Sequence, residues 1–219
     1  MTRLARILLK FIASAALFWL SLMLLLVMAR LSLPLVKSPY AIVSIAVFAA
    51  SAALFCRRKF TVLYVFGHEM THFIVAKLFL KETGKLKIGR AGGFVEVKET
   101  NVWIALAPYI IPFYTFIAMG IYGLVQLFVS PMPWWGTLAF SCLASAGYAY
   151  HAVLNAFALH HSQSDLVMYG RIFSLSIIIA GNIAILLAAH LLATSQWKQA
   201  LNMLCSMSRA QFNFIWNLL

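Results

Sequence analysis

Between residues 11 and 193 the chain is a succession of apolar runs, several of them closed by lysine or arginine. This pattern constrains the fold more than any other feature of the sequence. About 20 apolar residues suffice for a helix to cross the hydrocarbon of a bilayer. The runs lie at about 11–29, 40–56, 60–80, 102–130, 137–159 and 172–193. The first is longer than the apolar region of a cleaved signal peptide, about 7–15 residues, and reads as a retained helix. Composition agrees: 63% of residues are hydrophobic, 10% are charged and the mean hydropathy is +0.92. Soluble domains carry about 25% charged residues. A soluble enzyme, a disordered tail and a nucleic-acid-binding module are all excluded. The net charge of +12 comes from lysines and arginines at the ends of the runs, where they meet headgroups. They divide evenly between the two sets of loops, so charge does not orient the chain. Cys56, Cys142 and Cys205 are odd in number and far apart, and give no disulfide framework.

The expected fold is therefore an all-α polytopic membrane protein of about six transmembrane helices in one integral domain. Residues 1–59 hold two N-terminal spans, 60–171 the central core, and 172–219 the last span and a tail. Residues 81–101 form the one long hydrophilic stretch. Partial alternation from Gly93 to Lys98, facing Leu86 to Ile88, predicts a short β-hairpin after the third span. Pro108 and Pro112 predict a kink or a re-entrant start in the fourth run. In the tail, Trp197, Leu201, Leu204 and Ile215 fall near helical spacing, which predicts an interfacial amphipathic helix.

An acid in a bilayer is costly and tends to be there for function. The chain has five: Glu69, Glu82, Glu96, Glu99 and Asp165. Glu69 stands in Gly67-His68-Glu69-Met70-Thr71-His72, an H-E-x-x-H motif inside the third run. Residues four apart share a helix face, so His68 and His72 can address one ion. Glu69 is then the general base, taking a proton from a water that zinc activates. Chance placement of six histidines and four glutamates in 219 residues gives the motif only about 0.003 times. The rival reading is a cluster of polar groups that satisfy one another in helix packing.

Catalytic zinc takes three protein ligands and a water. A metzincin extension would need glycine and histidine where the chain has Val75 and Leu78. The last glutamate, Glu99, lies in the surface loop, and beyond it the one acid is Asp165. Asp165 is the expected third ligand. His151, His160 and His161 are rivals for that place, and Ser164 or Asp165 has the alternative role of capping the sixth helix.

With these residues in place, the chain resembles the site-2 protease family of intramembrane zinc metalloproteases, as a divergent, minimal member. The membrane-embedded H-E-x-x-H, the glycine-rich hairpin and the lone aspartate two spans later carry the likeness, over about residues 60–171. The resemblance implies cleavage of a substrate's transmembrane segment within the bilayer, with the hairpin loop facing the cytoplasm. A helical peptide bond must unwind before attack, and the strand edge at Gly93, Phe94 and Val95 can hold the unwound segment by main-chain hydrogen bonds. An ordinary surface connector is the alternative. Asn101 can donate to the oxyanion or cap the fourth helix. The expected cofactor is Zn2+. The expected partners are the bilayer and a membrane-protein or membrane-anchored peptide substrate, with room for a regulatory membrane partner and no nucleic acid. The expected location is a bacterial plasma (inner) membrane. The competing class is non-catalytic: a metal transporter or a client-binding pseudoprotease.

Overall fold

Each apolar run becomes a helix. The computed structural model describes residues 2–58, 60–90, 92–160 and 164–217. In chain order the elements are α1 (Arg3–Ser32), α2 (Pro39–Arg57), α3 (Thr61–Leu78), β1 (Thr83–Gly89), β2 (Gly92–Val97), α4 (Val102–Ile110), α5 (Phe113–Phe128), α6 (Trp134–His160), α7 (Ser164–Met168), α8 (Arg171–Thr194) and α9 (Trp197–Trp216). Thr2 starts α1 and Ser38 starts α2, each accepting a backbone N–H with its side-chain oxygen.

Among the described residues, three helices are both long and apolar enough to cross a membrane: α1, with its short 3-10 extension, α2 and α8. A fourth span exists if α4 and α5, bent by 80° at their junction, count as one. The six-span expectation is thus reduced to three or four by length and composition. The physical reason is visible in α3, where His68, Glu69, His72 and Lys77 interrupt an otherwise apolar helix. The fourth run breaks as its prolines predict. Pro112 has no N–H to continue the helix, so α4 ends at Ile110 and α5 starts anew at Phe113.

The hairpin forms between the expected segments. Leu86 pairs with Val95, Lys87 with Phe94 and Ile88 with Gly93. Gly93, Val95 and Val97 turn inward while Phe94 and Glu96 face out, and Val97 packs on Val75, Ala76, Ile104 and Ala107 from α3 and α4. A second core gathers Leu106, Tyr109, Ala158, Leu166, Ile177 and Ile178, with Leu17 and Tyr64 against it.

A third core corrects the expected tail. Ala200, Met203, Leu204 and Met207 of α9 pack on Val27 and Leu31 of α1 and Leu187 and Leu191 of α8. At the other end of the contact, Trp19 Nε1 donates to Gln211 Oε1 at 3.3 Å. The helix is amphipathic, but it runs back along α1 instead of lying across its end. Of the expected stripe only Leu204 is seen to pack: Trp197 and Leu201 are exposed, and the Ile215 side chain lies outside the described residues.

Candidate metal centre

The histidine spacing works as helical geometry requires. At 1.5 Å per residue, His68 and His72 stand about 10 and 16 Å along α3, well inside both ends. Their rings meet edge to face at 5.0 Å between centroids. His72 donates Nδ1–H to the Ile104 carbonyl at 2.8 Å, which leaves Nε2 free. That nitrogen lies 4.0 Å from Asp165 Oδ2. One ligand atom from each of His68, His72 and Asp165 lies within 4.8 Å of the others. The three residues that sequence reasoning named as ligands are therefore brought together by two separate segments of the fold, α3 and α7.

The donor set fits a divalent ion. Two imidazoles and one carboxylate make the three-ligand arrangement of a catalytic zinc site. His68 Nδ1 is buried with no hydrogen-bond partner among the described residues, a cost unless something polar satisfies it. His72 has the carbonyl partner that orients metal-ligating imidazoles. Asn101 takes part at one remove. Its Oδ1 accepts the Ile104 N–H at 2.9 Å and caps α4, so it fixes the residue whose carbonyl fixes His72. The structure thus finds Asn101 in the capping role.

Glu69 is buried on α3 beneath β2, and the main chain of Val95 reaches its carboxyl group. Gly93 makes this approach possible. A Cβ there would stand 2.5 Å from Val65 Cγ1 and 2.9 Å from Glu69 Cγ, closer than any side chain allows. Of the predicted substrate-contacting residues, Gly93 and Val95 face Glu69, and Phe94 points away. Beside His68 lies a cavity of about 30 Å³, walled by Tyr64, Pro108, Tyr114, Tyr150 and His151, with room for a water. Tyr114, Gly147 and Tyr150 also border an apolar groove of about 440 Å³ running to Phe55, Ile117 and Leu143.

No protein family, no curated protein and no solved structure matches this chain.

His151 lines the same cavity as His68, but its Nε2 is engaged, 3.0 Å from Asn155 Nδ2 and 3.2 Å from Asn182 Oδ1. His161 and the His160 side chain lie outside the described residues. Gly170, not Ser164 or Asp165, is the N-cap of α8. Sequence reasoning missed Tyr109, whose hydroxyl lies 3.4 Å from Asp165 Oδ2 and whose ring stands edge-on to His68 at 5.4 Å. It also missed Asn182, a polar residue midway along the apolar α8. Asn182 was open to detection, since an amide there needs partners. Tyr109 carried no such signal.

Proposed function

We propose that the protein is an intramembrane zinc metalloendopeptidase, hydrolysing a peptide bond in or near a transmembrane segment of a membrane-protein substrate. The observation that carries this reading is the convergence of His68, His72 and Asp165 within 4.8 Å, with Glu69 buried next to the first of them. Zinc held by those three residues supplies a Lewis acid and brings the pKa of a water to about 7. Glu69 is the general base: it adjoins a ligand, and β2 covers it. Among the described residues β2 pairs with β1 alone, so its second edge is available to an extended chain. A substrate segment added there passes close to Glu69, held by main-chain hydrogen bonds. The apolar groove that shares Tyr114, Gly147 and Tyr150 with the cavity at His68 suits entry from the bilayer.

The depth of the centre supports cleavage inside the membrane. Leu17 packs against the core that contains Tyr109 and Leu166. It lies seven residues from Lys10, about 10 Å along α1. With Lys10 at the headgroups, the centre sits below the surface and α3 lies within the bilayer. A multi-pass protein of a bacterial plasma membrane fits this placement.

The test is zinc per chain on detergent-purified protein, together with cleavage of a single-span membrane substrate in proteoliposomes. Wild type and Glu69→Gln are expected to hold about one zinc each, and His72→Ala to lose it. Only wild type is expected to cleave. Wild type without zinc after reconstitution would remove the metal centre. Zinc bound, no cleavage, and zinc flux into liposomes would turn the reading to transport.

A further inference from the structure

We infer that Tyr109 is the positioning residue of the metal centre, gripped through its main chain at the break between α4 and α5 and bearing on Asp165 and His68 through its side chain. The inference rests on the metal-centre reading above. It begins with Pro112. In an unbroken helix the Tyr109 carbonyl would accept the Phe113 N–H. The 80° bend between α4 and α5 carries that donor away. A main-chain carbonyl left free in an apolar interior is costly and must find a partner. It finds two. Asn155 Nδ2 of α6 donates to it at 3.0 Å, and Asn182 Nδ2 of α8 donates at 2.8 Å. Tyr148 donates its hydroxyl to Asn182 Oδ1 at 3.2 Å, which orients that amide.

Gly181 lets α8 come this near. A Cβ at that position would stand 2.5 Å from Ile110 Cγ2, so any larger residue would push α8 and Asn182 off the α4 terminus. The result is a main chain fixed from two sides at Tyr109, whose side chain is fully buried. From that fixed point the hydroxyl reaches Asp165 Oδ2 at 3.4 Å. The ring lies perpendicular to His68, at 86°, and blocks rotation of the imidazole to that side.

Asp165 needs such a partner more than the histidines do. It stands on the five-residue α7, where the backbone alone holds a side chain loosely. Groups outside the ligand shell that hydrogen-bond a ligand set its orientation, and losing one typically weakens metal binding about 10–100-fold. Tyr109 is such a group for Asp165, as the Ile104 carbonyl is for His72.

The experiment measures zinc dissociation constants by chelator competition, and the visible absorption of the cobalt-substituted protein, for wild type, Tyr109→Phe, Asn182→Ala and Tyr122→Phe. Tyr109→Phe keeps the ring beside His68 and removes only the hydroxyl. It is expected to raise the zinc dissociation constant about 10–100-fold and to change the cobalt bands. Asn182→Ala is expected to shift both in the same direction by a smaller factor. Tyr122→Phe removes a comparable hydroxyl contact, to Thr137 Oγ1 at 3.1 Å, away from the centre, and is expected to leave both unchanged. Wild-type affinity and spectrum in Tyr109→Phe would overturn the inference while leaving the metal centre intact. If Tyr109→Phe fails to fold, Asn182→Ala decides: an unchanged dissociation constant and spectrum would overturn it. Absence of metal in wild type would defeat the underlying reading instead.

Discussion

At the residue scale, the three candidate ligands differ in how firmly the fold holds them. His68 and His72 are set by a continuous helix, and His72 is fixed again by Ile104. Asp165 sits on a short segment secured by two side chains from elsewhere. Ser174 donates its hydroxyl to the Leu166 carbonyl at 3.0 Å, and the Lys10 ammonium donates to the Tyr169 carbonyl at 2.7 Å. Zinc affinity is therefore expected to fall further in His72→Ala than in Asp165→Ala, measured by the same competition assay; equal affinities in Asp165→Ala and wild type would exclude the aspartate as a ligand. Glu69→Gln is a separate case. It keeps the ligands and loses the base, so zinc stays and turnover drops by about 10²–10⁴-fold. The placement of His68 and His72 side by side on one helix was legible because it follows from local spacing. The choice of Asp165 was legible only by elimination, since nothing in the sequence fixes where α7 packs. Tyr109 was not legible at all, because its role arises from a helix break and from two asparagines 46 and 73 residues away.

At the scale of elements, two glycines set the spacing that the site depends on. Gly93 lets β2 lie on α3, and Gly181 lets α8 lie on the end of α4. Gly181→Ala must push against Ile110, and overpacking of this kind costs about 1–3 kcal/mol. A lowered Tm with a weakened metal site is expected from thermal unfolding in detergent; an unchanged Tm would show that α8 has slack there. The hairpin's charged ends matter less. Lys81 pairs with Glu99 and Lys98 with Glu82, all on the surface, where such pairs contribute little. The Lys81 ammonium does hold the Glu99 carboxyl below its usual range, by hydrogen bond and charge. A depressed carboxylate pKa stabilises the fold at neutral pH, and that contribution is lost as pH falls through the carboxylate range. The Tm difference between wild type and Lys81→Gln is therefore expected to be small at pH 7, to shrink in high salt, and to fade as acidification protonates Glu99 in both states. A difference that grew on acidification would reverse the sign argued here. The hairpin's two segments and the proline break were readable from alternation and from proline chemistry. The packing of α9 was not, because helical spacing in an amphipathic tail says which residues share a face and not which surface receives them.

At the scale of the whole molecule, packing sets the direction of the long helices relative to one another. Lys10 of α1 reaches Tyr169 just before α8, and Val27 and Leu31 near the end of α1 meet Leu187 and Leu191 near the end of α8. The two helices therefore run parallel, side by side, and both are long and apolar enough to cross. α9 returns antiparallel to them, bringing Gln211 back to the level of Trp19. Parallel spanning helices must start on one face of the membrane and finish on the other. Single cysteines at Arg6 and Met168, placed in a chain whose Cys56, Cys142 and Cys205 are serines, are expected to react with an impermeant maleimide from the same side of sealed vesicles. Cysteines at Leu33 and Ser195 are expected to react from the opposite side. Labelling of all four from one side would mean that α1 and α8 do not cross, and the centre between them could not then act within the bilayer. Labelling in the expected pairs would put Asp165, four residues before Tyr169, near the face where α1 begins.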